Sequence, residues 1–214
     1  MKRKLLSEFL GTYILVFAGT GAIIVETLTG SLGHIGIALT FGMVVIAMIY
    51  SFGHISGAHL NPAVTISFAV MNEFNWNEVL PYILAQLSGA ILSSLTLLLM
   101  FGNIANLGAT LPKFGEAQTF VMEFILTFIL MLVISLSAVH SKAVKSFAGI
   151  SIGFTVGLEA MFGGPISGAS MNPARSIAPA IVSGNIDSLW IYVLATILGA
   201  VSSVFIYKIL KEEN

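Results

Sequence analysis

The sequence has no cysteine, so it can form no disulfide and offers no thiolate as a zinc ligand or catalytic nucleophile. Charge is also scarce, since Asp, Glu, Lys and Arg make up 9% of the 214 residues, whereas soluble domains carry about 25%. So few charges cannot cover a surface that faces water, and the mean hydropathy of +0.97 also indicates lipid as the solvent. A formal net charge of -1 provides no basic surface for nucleic acid.

The motifs HExxH and GxxxxGK[ST], which indicate a zinc protease and a phosphate-binding loop, are likewise missing from the sequence. We therefore expect a protein that is not an enzyme, that needs no cofactor and that holds no metal ion.

Six apolar stretches are each long enough to cross a membrane, which takes about 20 residues in a helix. Polar or glycine-rich breaks separate these stretches. The sequence therefore predicts an all-α membrane protein with spans at about Leu5–Val25, Ile35–Phe52, Val79–Phe101, Phe120–Val139, Ala143–Met161 and Leu189–Leu210.

The positions of the basic residues predict the orientation, because the cytoplasmic segments of membrane proteins are enriched in lysine and arginine. Lys2–Lys4 precede the first span, Lys142 and Lys145 lie between the fourth and the fifth, and Lys208 and Lys211 close the chain. Six spans place all of these residues on one side. We therefore expect a multi-pass protein of the cell membrane with both termini in the cytoplasm.

Two further apolar segments, Ala63–Met71 and Ala174–Val182, are too short to span a membrane. At 1.5 Å per residue each reaches about halfway through the hydrocarbon core. Each follows an Asn-Pro pair, Asn61-Pro62 or Asn172-Pro173. Asparagine is a preferred N-cap and proline suits the first turn of a helix, so both pairs indicate the start of a re-entrant half-helix.

The second half of the chain repeats the first in outline. Ile55–Ala63 and Ile166–Ala174 share seven of nine residues, and Glu8 near the start of the first span matches Glu123 near the start of the fourth. Each unit, at about 1–107 and 115–214, would hold three spans and one half-helix. An odd number of spans inverts one unit relative to the other, and such inverted repeats with broken helices are typical of channels and transporters.

These motifs resemble those of the major intrinsic proteins, the family of aquaporins and glycerol facilitators. The resemblance rests on Ser-Gly-Ala-His-Leu-Asn-Pro-Ala-Val at 56–64, Ser-Gly-Ala-Ser-Met-Asn-Pro-Ala-Arg at 167–175 and Glu-Phe-Leu-Gly-Thr at 8–12. It implies an aquaporin-like fold with one pore in each subunit and assembly as a homotetramer. Phe162-Gly163-Gly164-Pro165 is similar to the plant nodulin-like branch and its bacterial relatives.

Two boxes, Asn61-Pro62-Ala63 and Asn172-Pro173-Ala174, would then meet at mid-membrane. The two half-helix N-termini carry partial positive charge, and the asparagine amides can donate to a passing water, which would interrupt a proton wire and oppose cations. Both asparagines could instead serve only as helix caps, although one side chain can do both.

The glycine-rich runs Gly53–Leu60 and Gly164–Met171 before the boxes are expected to be extended, because non-helical backbone inside a membrane is tolerated where it lines a cavity or is buried in protein. A tight turn without solute contact is the alternative. In the first case backbone carbonyls would line the pore, and the candidates are Gly57, Ala58, His59, Gly168 and Ser170.

The resemblance implies that four residues form the outer constriction: Phe41, Ala160, Ala169 and Arg175. Water channels usually have histidine at the position of Ala160, so the opening here should be wider. Arg175 lies within the membrane, where a charge is costly and usually functional. We expect passive passage of water and small uncharged solutes such as glycerol. A strictly water-selective channel is the alternative.

Three carboxylates fall inside the predicted spans. Glu8 and Glu123 could couple transport to protons, as in a secondary transporter, or could accept hydrogen bonds from the backbone of the re-entrant loops. Resemblance and repeat symmetry favour the structural role. Glu159 has no matching acid in the first unit, and it could hold the loop before Asn172 or be protonated in its apolar surroundings.

Overall fold

The computed structural model describes residues 1–211 of the chain. Within this range the apolar runs of 18 residues and more form long helices. Every regular element in that range is helical, and six of the helices are long and apolar enough to cross a membrane. The long helices are α1 Lys2–Thr29, α2 Gly33–Ser56, α4 Trp76–Phe101, α5 Glu116–Ile134, α6 Ala148–Ser167 and α8 Leu189–Leu210, and the short ones are α3 Pro62–Val70 and α7 Pro173–Ser183. A π-helical turn, Ser135–Val139, extends α5. The predicted fold class is thus confirmed.

The fifth predicted span, Ala143–Met161, is wrong at both ends, because α6 runs from Ala148 to Ser167. The glycines and Pro165 near its end do not stop the helix. Proline has no N–H and cannot serve the carbonyl four residues earlier, which belongs to Met161. His34 supplies the missing donor, since its Nε2 lies 2.6 Å from that carbonyl oxygen.

The outer surface of the bundle is apolar while polar side chains lie inside. Leu99 is 87% exposed and Ile209 is 79% exposed, whereas Glu8, Thr65 and Gln86 are fully buried. A soluble protein has the opposite distribution, because exposed apolar area and buried polar groups both carry a cost in water. The surface is therefore matched to lipid.

Glycines set the closest helix contacts. A Cβ atom on Gly89 of α4 would lie 3.0 Å from the carbonyl carbon of Phe9 and closer still to its oxygen. Gly199 of α8 stands in the same relation to Phe124 of α5. Small residues let transmembrane backbones approach closely, and here they bring α1 against α4 and α5 against α8.

The two short helices begin as their sequences predict. The side-chain oxygens of Asn61 and Asn172 accept hydrogen bonds from the backbone N–H groups of Ala63 and Ala174, each at 2.9 Å. A proline follows each cap in the first turn. Their 9 and 11 residues give lengths of about 14 and 17 Å, which is roughly half of a hydrocarbon core of about 30 Å.

Candidate pore

The loops that lead into the half-helices are shorter and more tightly turned than expected. Gly53–Ser56 belongs to α2 and 164–167 belongs to α6, so the prediction of extended backbone is wrong there. Beyond them, Ala58 and Leu60 have φ values of 47° and 52°, and Ala169 and Met171 have 44° and 56°. Residues other than glycine rarely adopt this left-handed backbone conformation, so surrounding contacts must hold both loops in place.

Two buried carboxylates provide these contacts. Glu8 accepts from the backbone N–H groups of His59 at 3.0 Å and Leu60 at 2.7 Å, and from the Ser56 hydroxyl at 2.7 Å. Gln86 Nε2 adds a fourth bond at 2.8 Å. Carboxylate acceptors give the stronger, charge-assisted kind of hydrogen bond, so Glu8 fixes the strained loop to α1.

The second loop repeats this arrangement with Glu123 of α5. Glu123 accepts from the backbone N–H groups of Ser170 at 2.9 Å and Met171 at 3.0 Å, and from the Ser167 hydroxyl at 2.7 Å. Tyr192 also matches Tyr82, since each phenol donates to the carbonyl of the serine that ends α6 or α2, at 2.8 and 2.9 Å. The two loops are thus held by equivalent bonds.

The two loops also bond to each other through the asparagines. Asn61 Nδ2 donates to the carbonyl of Met171 at 2.8 Å, and Asn172 Nδ2 donates to the carbonyl of Leu60 at 2.8 Å. Each amide therefore uses its oxygen as a helix cap and one N–H as a cross-link. An amide nitrogen carries two N–H donors, so one remains for a solute.

A cavity of about 120 Å³ lies beside this cross-link and is lined by residues of both loops. Of the five carbonyl candidates, Gly57, Ala58, His59 and Ser170 line it, and Gly168 does not. The other wall is apolar and comes from α2, α5 and α6, with Val45, Ile49, Leu130, Ile134, Ile152 and Val156. A polar strip opposite an apolar wall can bind a solute that has both kinds of surface.

At one end the cavity is bounded by Phe41 and Arg175. The guanidinium carbon of Arg175 lies 5.1 Å from the centroid of the Phe41 ring, within the range of a cation–π contact. Arg175 is 2% exposed, and its Nη1 donates to the carbonyl of Gly108 at 2.7 Å. Ala169 also lines the cavity, while Ala160 is buried but lies outside its lining.

At the other end the cavity is next to a vestibule of about 570 Å³. Both spaces share the lining residues Ile49, Gly57, His59, Phe68, Ala138 and Ala148, so they adjoin each other. The centroid of the His59 ring lies 4.6 Å from that of Phe68 and 4.9 Å from that of Phe74. Its Nδ1 lies 3.2 Å from the Thr65 hydroxyl oxygen. This packing gives His59 a fixed position in the wall.

Glu159 does not hold the loop before Asn172. Its side chain is 1% exposed, and among residues 1–211 neither carboxyl oxygen has a hydrogen-bond partner. An isolated buried charge is expensive, so a protonated carboxyl is the form that suits these surroundings.

Residues 149–153 of α6 match the GxSxG pattern of hydrolases, but Ser151 lies inside a helix rather than on the strand-to-helix turn that a hydrolase needs.

Gly108 and His34 are the contacts that the sequence did not predict. Gly108 follows Ala105, Asn106 and Leu107, which all have left-handed φ values between 49° and 55°, and this turn brings its carbonyl to Arg175. No periodic pattern announces such a turn. His34 could have been inferred from Pro165, because the carbonyl that proline leaves free needs another donor.

Comparison with known proteins agrees with the geometry. A model of the family described as major intrinsic protein matches residues 1–207. Aquaporin NIP1-1 of Zea mays is 45% identical over 214 residues, covering 99% of this chain and 76% of that protein. Nodulin-26 of Glycine max is 46% identical over 211 residues, covering 98% and 78%.

Among solved structures, the X-ray structure of the aquaglyceroporin from Plasmodium falciparum superposes with a TM-score of 0.86 at 29% sequence identity. The match covers 96% of this chain and 95% of that one. The resemblance inferred from the motifs is therefore confirmed at the level of both sequence and fold.

Proposed function

The chain belongs to the major intrinsic protein family and is a membrane channel for water and small solutes, and we propose that it passes water together with an uncharged solute of about the size of glycerol. The observation that carries this proposal is the composition of the cavity wall at Phe41 and Arg175. One aromatic ring, Phe41, faces one guanidinium, Arg175, and Ala169 is the small residue beside them.

A polyol has hydroxyl groups on a carbon backbone, and both kinds of surface find partners here. Arg175 and the loop carbonyls can bond the hydroxyl groups, while Phe41 and the apolar wall can contact the carbons. The family resemblance also supports the proposal, because Ala160 stands where water channels usually have histidine and brings neither its bulk nor its donor, although Ala160 lies outside the cavity lining. The aquaglyceroporin from Plasmodium falciparum has the same fold, and its name refers to glycerol.

We propose that the channel excludes ions and protons and that two positive regions repel the cations. The N-termini of α3 and α7 approach each other at the asparagine cross-link, and each presents the positive end of its helix dipole to the lumen. Arg175 adds a full positive charge to the cavity wall beside Phe41. Cations meet repulsion at both places, and a water bonded to an asparagine amide is held in one orientation.

The membrane arrangement is also a proposal. We infer two inverted units of about 1–107 and 115–214, both termini in the cytoplasm of a cell-membrane protein, and a homotetramer. Equivalent bonds to Glu8 and Glu123 support the repeat. The bond between Lys4 and Glu78, 3.3 Å long, supports a common side for the starts of α1 and α4. Tetramers follow from the family resemblance alone, and native mass spectrometry of the purified protein tests them.

Stopped-flow light scattering on proteoliposomes tests the transport proposal. After a hyperosmotic glycerol shock, we expect fast shrinkage as water leaves, followed by fast reswelling as glycerol enters. Liposomes without protein are the control. In addition, Ala160→His should slow the reswelling and leave the shrinkage fast, because it adds bulk and a donor at the expected constriction.

Two other outcomes would contradict the proposal. Fast shrinkage without reswelling would mean a strictly water-selective channel. Uptake of glycerol against its gradient, driven by a pH difference, would mean a proton-coupled transporter, for which Glu8, Glu123 and Glu159 are the candidate carboxylates. A channel only equilibrates the solute, so measuring the final internal glycerol concentration distinguishes the two mechanisms.

A further inference from the structure

Gly19 of α1 lies directly behind the Phe41 ring. A Cβ atom built on Gly19 would lie 2.5 Å from Cδ1 and from Cζ of Phe41, and nearer still to Cε1. Ordinary van der Waals contact begins at 3.4 Å, so the ring would have to retreat by at least 0.9 Å (3.4 − 2.5). The ring can occupy its present place only because residue 19 has no side chain.

The backbone that carries the ring cannot absorb this displacement. Gly42, the next residue along α2, packs so closely on α6 that a Cβ there would lie 2.7 Å from the carbonyl oxygen of Gly153 and 3.1 Å from the Cα of Gly157. The helix is therefore held between α1 on one side and α6 on the other. What can move is the Phe41 side chain itself, by rotation about its own bonds.

The direction of that movement is set by what surrounds the ring. Phe41 is 8% exposed, and the open space beside it is the cavity that it lines together with Arg175. A ring pushed away from α1 enters this space. The 5.1 Å separation between the ring centroid and the guanidinium carbon is thus limited from behind by residue 19.

We propose that Gly19 is a specificity-determining position, whose missing side chain sets how far Phe41 withdraws from the lumen and therefore how large a solute passes Arg175. The inference rests on the proposed passage of a solute larger than water. A water molecule is about 2.8 Å across, and glycerol is wider, so a narrowing of 0.9 Å or more obstructs glycerol first. Gly19 acts through Phe41 and touches no solute.

Gly19→Ala in proteoliposomes is the direct test, with Gly21→Ala as the matched control. Gly21 lies two residues further along α1, and its added Cβ would meet Leu97 at 3.4 Å, which is ordinary contact. We expect Gly19→Ala to lower glycerol permeability about tenfold or more, a change of about 1.4 kcal/mol in barrier. Water permeability should fall by less than about threefold. Gly21→Ala should change neither.

A second variant distinguishes this role from general damage to the fold. In a Phe41→Leu background the ring is absent, so adding Gly19→Ala should leave the ratio of glycerol to water permeability unchanged. An equal loss of glycerol permeability in both backgrounds would overturn the proposal, and so would an unchanged ratio in a folded Gly19→Ala single variant. If Gly19→Ala does not fold, the double variant should, because its conflict with the ring is gone; its failure to fold would also count against the proposal.

Failure of the proposed function would look different. If the wild-type protein passes water but no glycerol, the proposed solute is wrong, and the role of Gly19 is then tested by water permeability alone. Gly19→Val should lower water permeability about tenfold with Phe41 present and have no effect in the Phe41→Leu background. A similar loss in both backgrounds would overturn it.

Discussion

Asn61 and Asn172 are each bonded to the loop that carries the other, because Asn61 donates to the carbonyl of Met171 and Asn172 donates to the carbonyl of Leu60, both at 2.8 Å. Each accepting carbonyl directly precedes the partner asparagine. The amides are therefore fixed at both ends, by the cap and by the cross-link. Their orientation is set before any solute arrives, which is what a filter acting through hydrogen-bond direction needs.

Replacing Asn61 by aspartate should open this cross-link. Asn61→Asp keeps the shape and the cap acceptor but cannot donate to Met171, which leaves a buried carbonyl without its partner at a cost of about 1–3 kcal/mol. Its negative charge also offsets the positive half-helix ends. We expect a lower midpoint in thermal unfolding and a proton leak, measured with a pH-sensitive dye inside proteoliposomes.

Asn75→Asp is the matched control for that variant. Asn75 caps α4 through its side-chain oxygen, 2.9 Å from the N–H of Asn77, and aspartate can do the same. It should leave stability and proton exclusion unchanged, while Asn172→Asp should behave like Asn61→Asp. A tight, stable Asn61→Asp channel would contradict the role given to the cross-link.

Glu8→Gln and Glu159→Gln should differ sharply although both remove a buried carboxyl from a long helix. Glu8 accepts four hydrogen bonds, and an amide turns one of its acceptor atoms into a donor, so at least one of the loop donors loses its bond at about 1–3 kcal/mol. Glu159 has no bond to any residue from 1 to 211 and should tolerate glutamine.

The measurement is the thermal midpoint of each purified variant in the same detergent. Equal losses for the two variants would mean that Glu159 holds a bond as important as those of Glu8. No loss for Glu8→Gln would mean that the first loop keeps its left-handed residues without the carboxylate.

Gly89→Ala and Gly199→Ala should each destabilise the fold. In both cases the new Cβ meets a carbonyl group of a neighbouring helix at 3.0 Å or less, and a backbone cannot rotate away as a side chain can. Overpacking of this kind costs about 1–3 kcal/mol. Thermal inactivation of water transport measures the loss. Gly21→Ala, which meets only Leu97 at ordinary distance, should stay close to wild type, and similar losses for all three would refute the argument from geometry.

Two substitutions of Arg175 separate the effect of its charge from the effect of its shape. Arg175→Ala removes the cation from the cavity wall, so small cations such as methylammonium should enter proteoliposomes more readily. Arg175→Lys keeps the charge and should keep the exclusion, although it lacks the planar fork that bonds Gly108 and faces Phe41. Radiolabelled methylammonium uptake compares the two, and equal uptake by both variants would show that the charge is not what excludes cations.

The sequence predicted the helices and the two boxes because their signals are local. Long apolar runs and Asn-Pro caps depend on neighbours within a turn or two, so α8 and the starts of α3 and α7 were close to the structure. The end of α6 was mispredicted because its continuation past Pro165 depends on His34, which is 127 residues away from Met161. Local patterns contain no such partner.

The contacts of the candidate pore also fall into those that the sequence predicts and those that it does not. Repeat symmetry singled out Glu8 and Glu123, whose bonds to the loops are equivalent. The bond from Arg175 to Gly108 and the clearance behind Phe41 depend on which irregular turn or bare backbone lies opposite, and neither leaves a trace in periodicity or charge. Such features depend on the three-dimensional arrangement of segments that are distant in the sequence.

The equivalent bonding of the two loops has a consequence for experiments on the proposed repeats. Around the two boxes and in the helices that lead into them, positions 111 apart (172 − 61) correspond, so each residue there has an internal reference in the other copy. Agreement between copies marks what the scaffold requires. Disagreement marks what makes the two ends of the pathway unlike. Val64 lines the cavity where the other copy has Arg175, and Met48 stands where the other has Glu159. Exchanging residues between copies therefore tests which differences make the two ends of the pathway unlike, without reference to another protein.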